Sequence, residues 1–165
     1  MKSISVIFPT FDERQNIVDA ILRAEATLGD RLLEIIVVDD DSPDHTWEVV
    51  SNLDHPRVRL IRRQNEKGLA SAIARGVNQS SGDIVVWLDC DLGVPPEVIG
   101  DLVKRLEKHD VAIASRFVDG GEDLRPKWIV FSSYLINRFS QLMLGGSIKD
   151  YTSGVIALNR RVLCE

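Results

Sequence analysis

The chain has 165 residues, 44% of them hydrophobic and 27% charged, and its formal net charge is −5 at pH 7. This length and composition are typical of a globular domain that buries its core without disulfides or a structural metal. The negative charge, with no broad basic surface, argues against a nucleic-acid-binding protein. The two cysteines, Cys90 and Cys164, form no CxxC pair, which argues against a disulfide framework or a zinc site and favours a reducing compartment.

No segment has the pattern of a targeting or membrane-spanning sequence. The first residues contain a short apolar run interrupted by Pro9, without the apolar length and cleavage site of a signal peptide. The apolar runs at residues 35–38 and 84–88 have the length of strands and fall far short of the roughly 20 residues of a membrane span. We therefore expect a soluble chain on the cytoplasmic side of any membrane that it contacts.

Apolar runs rich in valine and isoleucine alternate with helical patterns along the chain. The apolar runs predict strands at residues 4–8, 33–38, 58–62, 84–88, 111–115 and 155–158. The helical periodicity predicts helices at residues 16–28, 46–53, 68–77, 95–108 and 127–144. This alternation is typical of an α/β fold with a mainly parallel sheet.

The sequence contains no internal repeat, low-complexity tract or linker, so we expect a single domain over residues 1–165. Residues 160–165 have the pattern of a helix that is just starting, with no cap or tail after it. We therefore expect that the domain is truncated at its C-terminus.

Four of the predicted strands end in residues that could bind a ligand. Acids and an aromatic ring follow the first strand at residues 9–13, and acids follow the second at 39–41 and the fourth at 89–91. Arg116 follows the fifth strand. Ligands of parallel sheets bind beyond the carboxyl ends of the strands, so this pattern indicates a binding site at one edge of the sheet.

Asp89 and Asp91 are the sharpest functional signal. They follow a buried strand and lie two positions apart, so their carboxylates can converge on one cation. Mg²⁺ and Mn²⁺ prefer oxygen ligands and need few from the protein when phosphates complete their shell. Acidic pairs also occur in solvated turns, but the position at a strand end beside other candidate ligands favours the metal site.

Three consecutive carboxylates at residues 39–41 repel one another, so a folded domain needs a reason to keep them. We expect Asp40 to form a hydrogen bond to a bound base or ribose. Ser42 and Asp44 could equally well cap the helix predicted from residue 46.

The first strand is followed by Pro9, Phe11 and Glu13. Pro9 is expected to end the strand and to begin a turn. Phe11 could belong to the core, or it could offer a flat face on which a nucleotide base stacks. Glu13 could bind a ribose, or it could lie in the first turn of the next helix, where acids are favoured.

Arg116 would suit a phosphate, because a guanidinium can bind phosphate with two hydrogen bonds. The alternative is a salt bridge to an aspartate at the same edge of the sheet. Lys67 and Gly68, at the start of a predicted helix, are a weaker signal for a phosphate site or a turn. The three histidines lie in polar loop segments and are expected at the surface.

The chain resembles the family 2 glycosyltransferases of the GT-A fold in five segments: FPTFDERQNI, IIVVDDDSPDHTWEV, EKGLASAIARGVNQSSGDIVVWLDCDLGVPPEVI, ASRFVDGG and DYTSGVIALNR. Within that family it is similar to the polyprenyl-phosphate (dolichol-phosphate) mannosyltransferases, from Ser3 to about Arg161. The resemblance implies a Rossmann-like αβα sandwich that transfers mannose, with inversion, from GDP-mannose to a polyprenyl (dolichyl) phosphate. It also implies Mg²⁺ or Mn²⁺ as cofactor, and peripheral contact with the cytoplasmic face of a membrane through the acceptor.

The resemblance also implies roles for individual residues. Those expected to contact the base and ribose are Pro9, Phe11, Glu13, Val38 and Asp40. Asp89 and Asp91 are expected to hold the cation and the diphosphate, and Cys90, the small residue between them, is expected to contact the nucleotide sugar. The residues expected near the acceptor phosphate are Arg116 and Ser133, and those matching an element on the acceptor side are Asp150, Ser153 and Gly154.

The sequence departs from the family pattern at three positions. Phe11 replaces the usual tyrosine, which keeps the ring and loses the hydroxyl. Gly93 replaces a glutamine that serves as an additional metal ligand, so the cation would rely on the two aspartates, phosphates and water. Ile129 occupies the position of a second phosphate-binding arginine, with Arg125 and Lys127 nearby.

Other functions fit less well. The donor could instead be UDP-glucose or UDP-N-acetylglucosamine, with a polyprenyl phosphate or a glycan as acceptor, or the chain could be a non-catalytic homologue that binds a sugar nucleotide. A receiver domain would need an acidic pair after the first strand, and a Rossmann dehydrogenase or a nucleotidyltransferase would need a glycine-rich turn there. Pro9 and Thr10 occupy that position, which argues against all three classes.

Overall fold

The computed structural model describes residues 1–90, 94–115, 135, 137–143, 150 and 153–163. The strands are β1 (Ile4–Thr10), β2 (Leu32–Asp39), β3 (Val58–Arg62), β4 (Ile84–Trp87), β5 (Val111–Ile113) and β6 (Ile156–Asn159). The helices are α1 (Ile17–Leu28), α2 (Thr46–Ser51), α3 (Leu69–Gln79) and α4 (Val98–Arg105). Short 3₁₀ turns cover Gly29–Arg31 and Arg160–Leu163, and residues 137–143 are helical.

The strands form one sheet in the order β3-β2-β1-β4-β6-β5. The first four strands in this order are parallel, while β6 runs antiparallel to both of its neighbours, β4 and β5. The carboxyl ends of β1, β2, β3, β4 and β5 therefore meet at one edge, together with the start of β6. The residues that the sequence analysis predicts to bind a ligand follow the strands at this shared edge.

Alternation along the strands divides the core between the two faces of the sheet. Val6 and Phe8 of β1 face a layer that contains α1, α2 and α4, and Ile7 faces a layer that contains α3. Helix α1 meets the sheet with residues at helical spacing, which are Ile17, Ala20, Ile21, Ala24 and Leu28. The described residues thus form an αβα sandwich with a mainly parallel sheet, and the predicted fold class is confirmed.

Pro9 does not end the first strand, contrary to the prediction. Strand β1 continues through Thr10, and Pro9 pairs with Val38 of β2. Successive residues of a parallel strand face alternate neighbours, and Ile7 faces β4, since its carbonyl accepts a hydrogen bond from the Leu88 N–H at 3.2 Å. Pro9 faces the same side, where the register between β1 and β4 stops at Ile7. The missing proline N–H therefore breaks no hydrogen bond of the sheet.

The helix ends within residues 1–115 agree with the predictions to within a few positions. The helix predicted at residues 127–144 lies mostly outside the described residues, but 135 and 137–143 are helical. Among the described helices, none combines the length and the apolar character that crossing a membrane requires.

Candidate active site

Phe11 lies at the end of β1 with its ring exposed to solvent. Its exposed fraction is 48%, so it is not a core residue. The Lys67 ammonium lies 5.2 Å from the centre of the ring. Of the two interpretations of Phe11, the structure supports an accessible aromatic face beside a cation.

Glu13 takes part in the start of α1. Its carbonyl accepts hydrogen bonds from the N–H groups of Asn16 and Ile17, both at 3.0 Å. Its carboxylate accepts a hydrogen bond from the Asn16 side-chain amide at 2.9 Å. The half-buried Glu13 thus has the position at the helix start that the sequence allowed, and a ribose contact stays a prediction.

Asp39 organises the loops that follow β1 and β2. It is fully buried, and its carboxylate accepts hydrogen bonds from the Thr10 hydroxyl (2.9 Å), the Ser42 N–H (2.9 Å) and the Ser42 hydroxyl (2.6 Å). The Ser42 hydroxyl in turn accepts a hydrogen bond from the Asp12 N–H at 3.2 Å. The first of the three consecutive acids is therefore a structural residue. The three hydrogen bonds that it accepts offset its electrostatic repulsion with the two acids that follow.

Asp40 is buried and both of its carboxylate oxygens accept hydrogen bonds. One accepts from the Arg63 Nε at 2.7 Å, and the other accepts from the Gly68 N–H at 2.7 Å. Arg63 is also buried, and it donates further to the Ser71 hydroxyl (2.9 Å) and the Gly68 carbonyl (3.0 Å). Asp40 thus ties the end of β2 to the start of α3, and its contact with a base stays a prediction.

Sequence reasoning did not identify Arg63 as a residue of this edge. The available signal was the pair Arg62 and Arg63 at the end of β3, next to a run of acids that has to be neutralised if it is buried. The sequence does not reveal which arginine is buried. In the structure Arg62 is exposed, pairs with Asp41 and lies over the Trp47 ring at 3.6 Å, whereas Arg63 points inward.

Asp44 satisfies the first N–H of α2. Its carboxylate accepts hydrogen bonds from the Thr46 N–H (2.9 Å), the Thr46 hydroxyl (2.6 Å) and the Arg14 N–H (2.9 Å). Burial by itself would raise the pKa of the Asp44 carboxyl, but these hydrogen bonds outweigh it and lower the pKa. The Thr46 hydroxyl also accepts from the Glu13 N–H at 3.0 Å, so α2 supports the loop after β1.

Within the described part of the chain, three residues other than glycine have a positive φ, and all three lie in the loops after β1 and β2. They are Asp12 (63°), Asp41 (54°) and His45 (63°). Aspartate and histidine adopt this left-handed conformation more readily than most residues, and such conformations cluster at functional sites. The hydrogen bonds of Asp39, Ser42 and Asp44 hold the two loops in this shape.

Pro9 and Val38 are buried next to each other in the sheet. The Val38 side chain belongs to the apolar cluster under α3, together with Ile7 and Ile36. Any contact of Val38 with a ligand would therefore use its backbone, and the roles expected of both residues stay predictions.

On the other half of the edge, Asp89 is half-buried just beyond β4, and Cys90 is buried in the same apolar cluster as Leu88. The backbone of Gly154 lies directly against the Asp89 carboxylate. Asp150 is also buried, and one of its oxygens accepts a hydrogen bond from the Asn137 amide at 3.4 Å. The Asp89 carboxylate is thus held between strand ends at the edge where Phe11 is exposed.

Several expected site residues lie outside the described part of the chain. They are Asp91, Gly93, Arg116, Ile129 and Ser133. Among the residues that are described, no three histidine, cysteine or acidic side chains form a cluster that could hold a metal ion. The carboxylate of Asp89 is the kind of oxygen ligand that a hard divalent cation prefers, and the metal-binding roles of Asp89 and Asp91 stay predictions.

Comparisons with known proteins identify the family of the chain. Residues 5–165 match the family model described as glycosyl transferase family 2. A dolichol-phosphate mannosyltransferase of Pyrococcus furiosus is 41% identical over an alignment that covers 97% of this chain and 47% of that protein. The chain thus spans about half the length of this curated relative.

Solved structures share the fold. The glucosyl-3-phosphoglycerate synthase of Mycobacterium tuberculosis, in complex with Mn²⁺, UDP and phosphoglyceric acid, superposes with a TM-score of 0.75 at 24% identity, over 98% of this chain and 57% of that one. A mannosyltransferase of Pyrobaculum calidifontis in complex with GDP-mannose and Mn²⁺ superposes with a TM-score of 0.69 at 22% identity, over 98% of this chain and 46% of that one. The sheet and its layers are those of the GT-A fold.

Proposed function

Because the chain belongs to glycosyl transferase family 2, we propose that it is the catalytic domain of an inverting enzyme that transfers mannose from GDP-mannose to a polyprenyl phosphate. The observation that carries this proposal is the position of Asp89. Its half-buried carboxylate lies at the end of β4, on the same sheet edge as the exposed ring of Phe11. A sugar nucleotide needs both features, an aromatic face for the base and an acid near the diphosphate.

The loops after β1 and β2 would bind the nucleoside. The base would stack on the exposed face of Phe11, a contact worth about 1–3 kcal/mol by analogy with other base–aromatic pairs. Glu13 would bind the ribose, and Asp40 together with the backbone of Pro9 and Val38 would surround the base. The hydrogen bonds of Asp39 and Thr46 hold these loops in shape before the donor arrives, which reduces the cost of binding.

Asp89 and Asp91 would hold Mg²⁺ or Mn²⁺, with the backbone at Cys90 lying between them. When bound, the cation neutralises the charge that develops on the diphosphate as the sugar bond breaks. Gly93 offers no side-chain ligand, so oxygens of the donor and water would complete the coordination shell. The mannosyltransferase of Pyrococcus furiosus and the GDP-mannose complex from Pyrobaculum calidifontis favour mannose as the sugar.

The acceptor supplies its own nucleophile. A phosphate monoester is ionised near pH 7, so no strong general base is needed, and one of its oxygens attacks the anomeric carbon as GDP leaves. Arg116 and Ser133 would bind and orient this phosphate. Catalysis would then rest on positioning and on electrostatic stabilisation of the developing charge.

Contact with a membrane is supported by an exposed apolar face on the last described helical segment. The exposed side chains are those of Leu135, Phe139, Leu142 and Met143, and Leu142 is 83% exposed. Their spacing places them on one side of a helix. Such a face is expected at a lipid or protein interface, and we propose that it lies against the cytoplasmic face of the membrane that contains the polyprenyl phosphate.

Isothermal titration calorimetry in the presence of Mn²⁺ would test donor binding with GDP-mannose, UDP-glucose and UDP-N-acetylglucosamine. We expect GDP-mannose to bind most tightly, and Asp89→Asn and Asp91→Ala to remove the metal-dependent part of binding. Asp83→Asn is a matched control, because Asp83 lies at the opposite end of β4 and pairs with Ser3. Tighter binding of a UDP-sugar would overturn the assignment of the donor.

A transfer assay with dolichyl phosphate and labelled GDP-mannose would test the reaction itself. We expect label in the lipid phase with the unmodified protein and none with Asp91→Ala. Donor binding without transfer by the protein at its full natural length would identify a non-catalytic sugar-nucleotide-binding homologue instead.

A further inference from the structure

The register between β4 and β6 places Gly154 opposite Asp89. The two strands are antiparallel, with Ile84 paired to Asn159 and Trp87 paired to Ile156. Residues directly opposite in such a pair are close neighbours. Two positions beyond the last pair, the same register sets Asp89 against Gly154, at the point where the candidate metal site begins.

A side chain at Gly154 would occupy the space of the Asp89 carboxylate. A Cβ placed there would lie 3.0 Å from Asp89 Cγ and 3.4 Å from Oδ1, and it would overlap Oδ2. Among the described glycines, only Gly29 and Gly68 have a positive φ, so Gly154 is not required by its backbone conformation. Glycine is needed at position 154 because the volume that a Cβ would occupy is already filled by the Asp89 carboxylate.

The backbone at Gly154 has little freedom to move away. The next residue, Val155, is buried, and its carbonyl accepts a hydrogen bond from the Ala114 N–H at 3.1 Å. The Val155 N–H donates to the Ser153 hydroxyl at 3.2 Å. Because this backbone is held by Ala114, the residue after β5, and by Ser153, a side chain at position 154 would displace the Asp89 carboxylate rather than the backbone.

We propose that Gly154 is a positioning residue for the cation site, acting through the orientation of Asp89. This inference rests on the proposed function, which assigns the cation to Asp89. It identifies a steric link between the acceptor-side segment that contains Ser153 and Gly154 and the carboxylate on the donor side. The link requires that position 154 has no side chain.

The test is the affinity for Mn²⁺ in the presence of GDP, measured by calorimetry on Gly154→Ala. We expect affinity to fall by about tenfold or more, the loss typical of changes that misplace a metal ligand. Gly100→Ala is the matched control, because a Cβ at Gly100 meets only Thr27 Cγ2 at an ordinary 3.5 Å. Its Mn²⁺ affinity should equal that of the unmodified protein, and an unchanged affinity in Gly154→Ala overturns the inference.

A double-mutant cycle separates this inference from the proposed function. In the Asp89→Ala background the carboxylate is gone, so adding Gly154→Ala should change the thermal midpoint little. If Gly154→Ala alone does not fold, recovery of folding in the double variant supports the inference, and failure to recover overturns it. The proposed function is wrong if the unmodified protein does not bind Mn²⁺ in the presence of GDP. It is also wrong if Asp89→Ala binds Mn²⁺ as tightly as the unmodified protein.

Discussion

The two halves of the sheet edge that carries the candidate site place their acids in different ways. In the parallel half, β3-β2-β1, the carboxylates of Asp39, Asp40 and Asp44 accept hydrogen bonds from neighbouring loops and helices. In the half where β6 reverses direction, Asp89 is half-buried and its position is bounded by the backbone of Gly154. The comparison shows that acids in similar positions after strands have different surroundings: three are hydrogen-bonded into the loops, whereas Asp89 lies against a glycine backbone at the proposed cation site.

The largest expected effect in the parallel half comes from Arg63→Met. This change leaves the Asp40 carboxylate buried without its cation, which typically costs about 3–5 kcal/mol of unfolding free energy. Urea denaturation would measure the loss. Arg62→Met is the control, because the exposed Arg62–Asp41 pair should contribute less than about 1 kcal/mol. Equal losses in the two variants would contradict the assignment of Arg63 as the buried partner.

A smaller effect is expected from Thr46→Val, which keeps the shape of the side chain and removes its hydroxyl. The Glu13 N–H would lose its acceptor and Asp44 would lose a donor, at a cost of about 1–3 kcal/mol. GDP binding should weaken as well, because the loop after β1 loses its support. Thr27→Val is the control, since the Thr27 hydroxyl bonds only within α1, to the Arg23 carbonyl at 2.8 Å. If Thr46→Val binds GDP as tightly as the unmodified protein does, α2 does not support the nucleotide-binding loop.

The smallest expected effect is on the pH dependence of stability. It concerns two carboxyls with lowered pKa values, Asp44 beside the candidate site and Glu34 at the opposite edge of the sheet. Burial favours a raised pKa for the Glu34 carboxyl, but hydrogen bonds from Ser81 and Ser5 outweigh it and lower the pKa. A pKa that is lower in the folded state stabilises the protein above the unfolded pKa, and this stability is lost as the pH falls. The unfolding free energy should therefore decrease as the pH falls below about 4.

Asp44→Asn and Glu34→Gln should each reduce this acid-induced loss of stability in urea denaturation at a series of pH values. Only Asp44→Asn should also weaken GDP binding at pH 7, because Glu34 lies far from the ligand edge. A full acid-induced loss in both variants would show that other carboxyls determine it.

Much of the fold could be predicted because its signals are local. The alternation of apolar runs and helical patterns located the strands and helices that the structure describes. The prediction that Pro9 ends the strand is wrong because its effect depends on which neighbour its missing N–H faces, and that depends on where β4 stops pairing with β1. The burial of Arg63 rather than Arg62 has no local signal, because it depends on the position of α3.

By itself, the sequence determined the α/β class and the edge at which the acids gather, because apolar periodicity is a local property and the carboxyl ends of parallel strands share one edge. Only the tertiary structure decided which acids form hydrogen bonds within the protein and which glycine faces Asp89. Those contacts depend on the buried partner of Asp40 and on the antiparallel register of β6. Both join segments distant in the chain, so no local pattern can specify them.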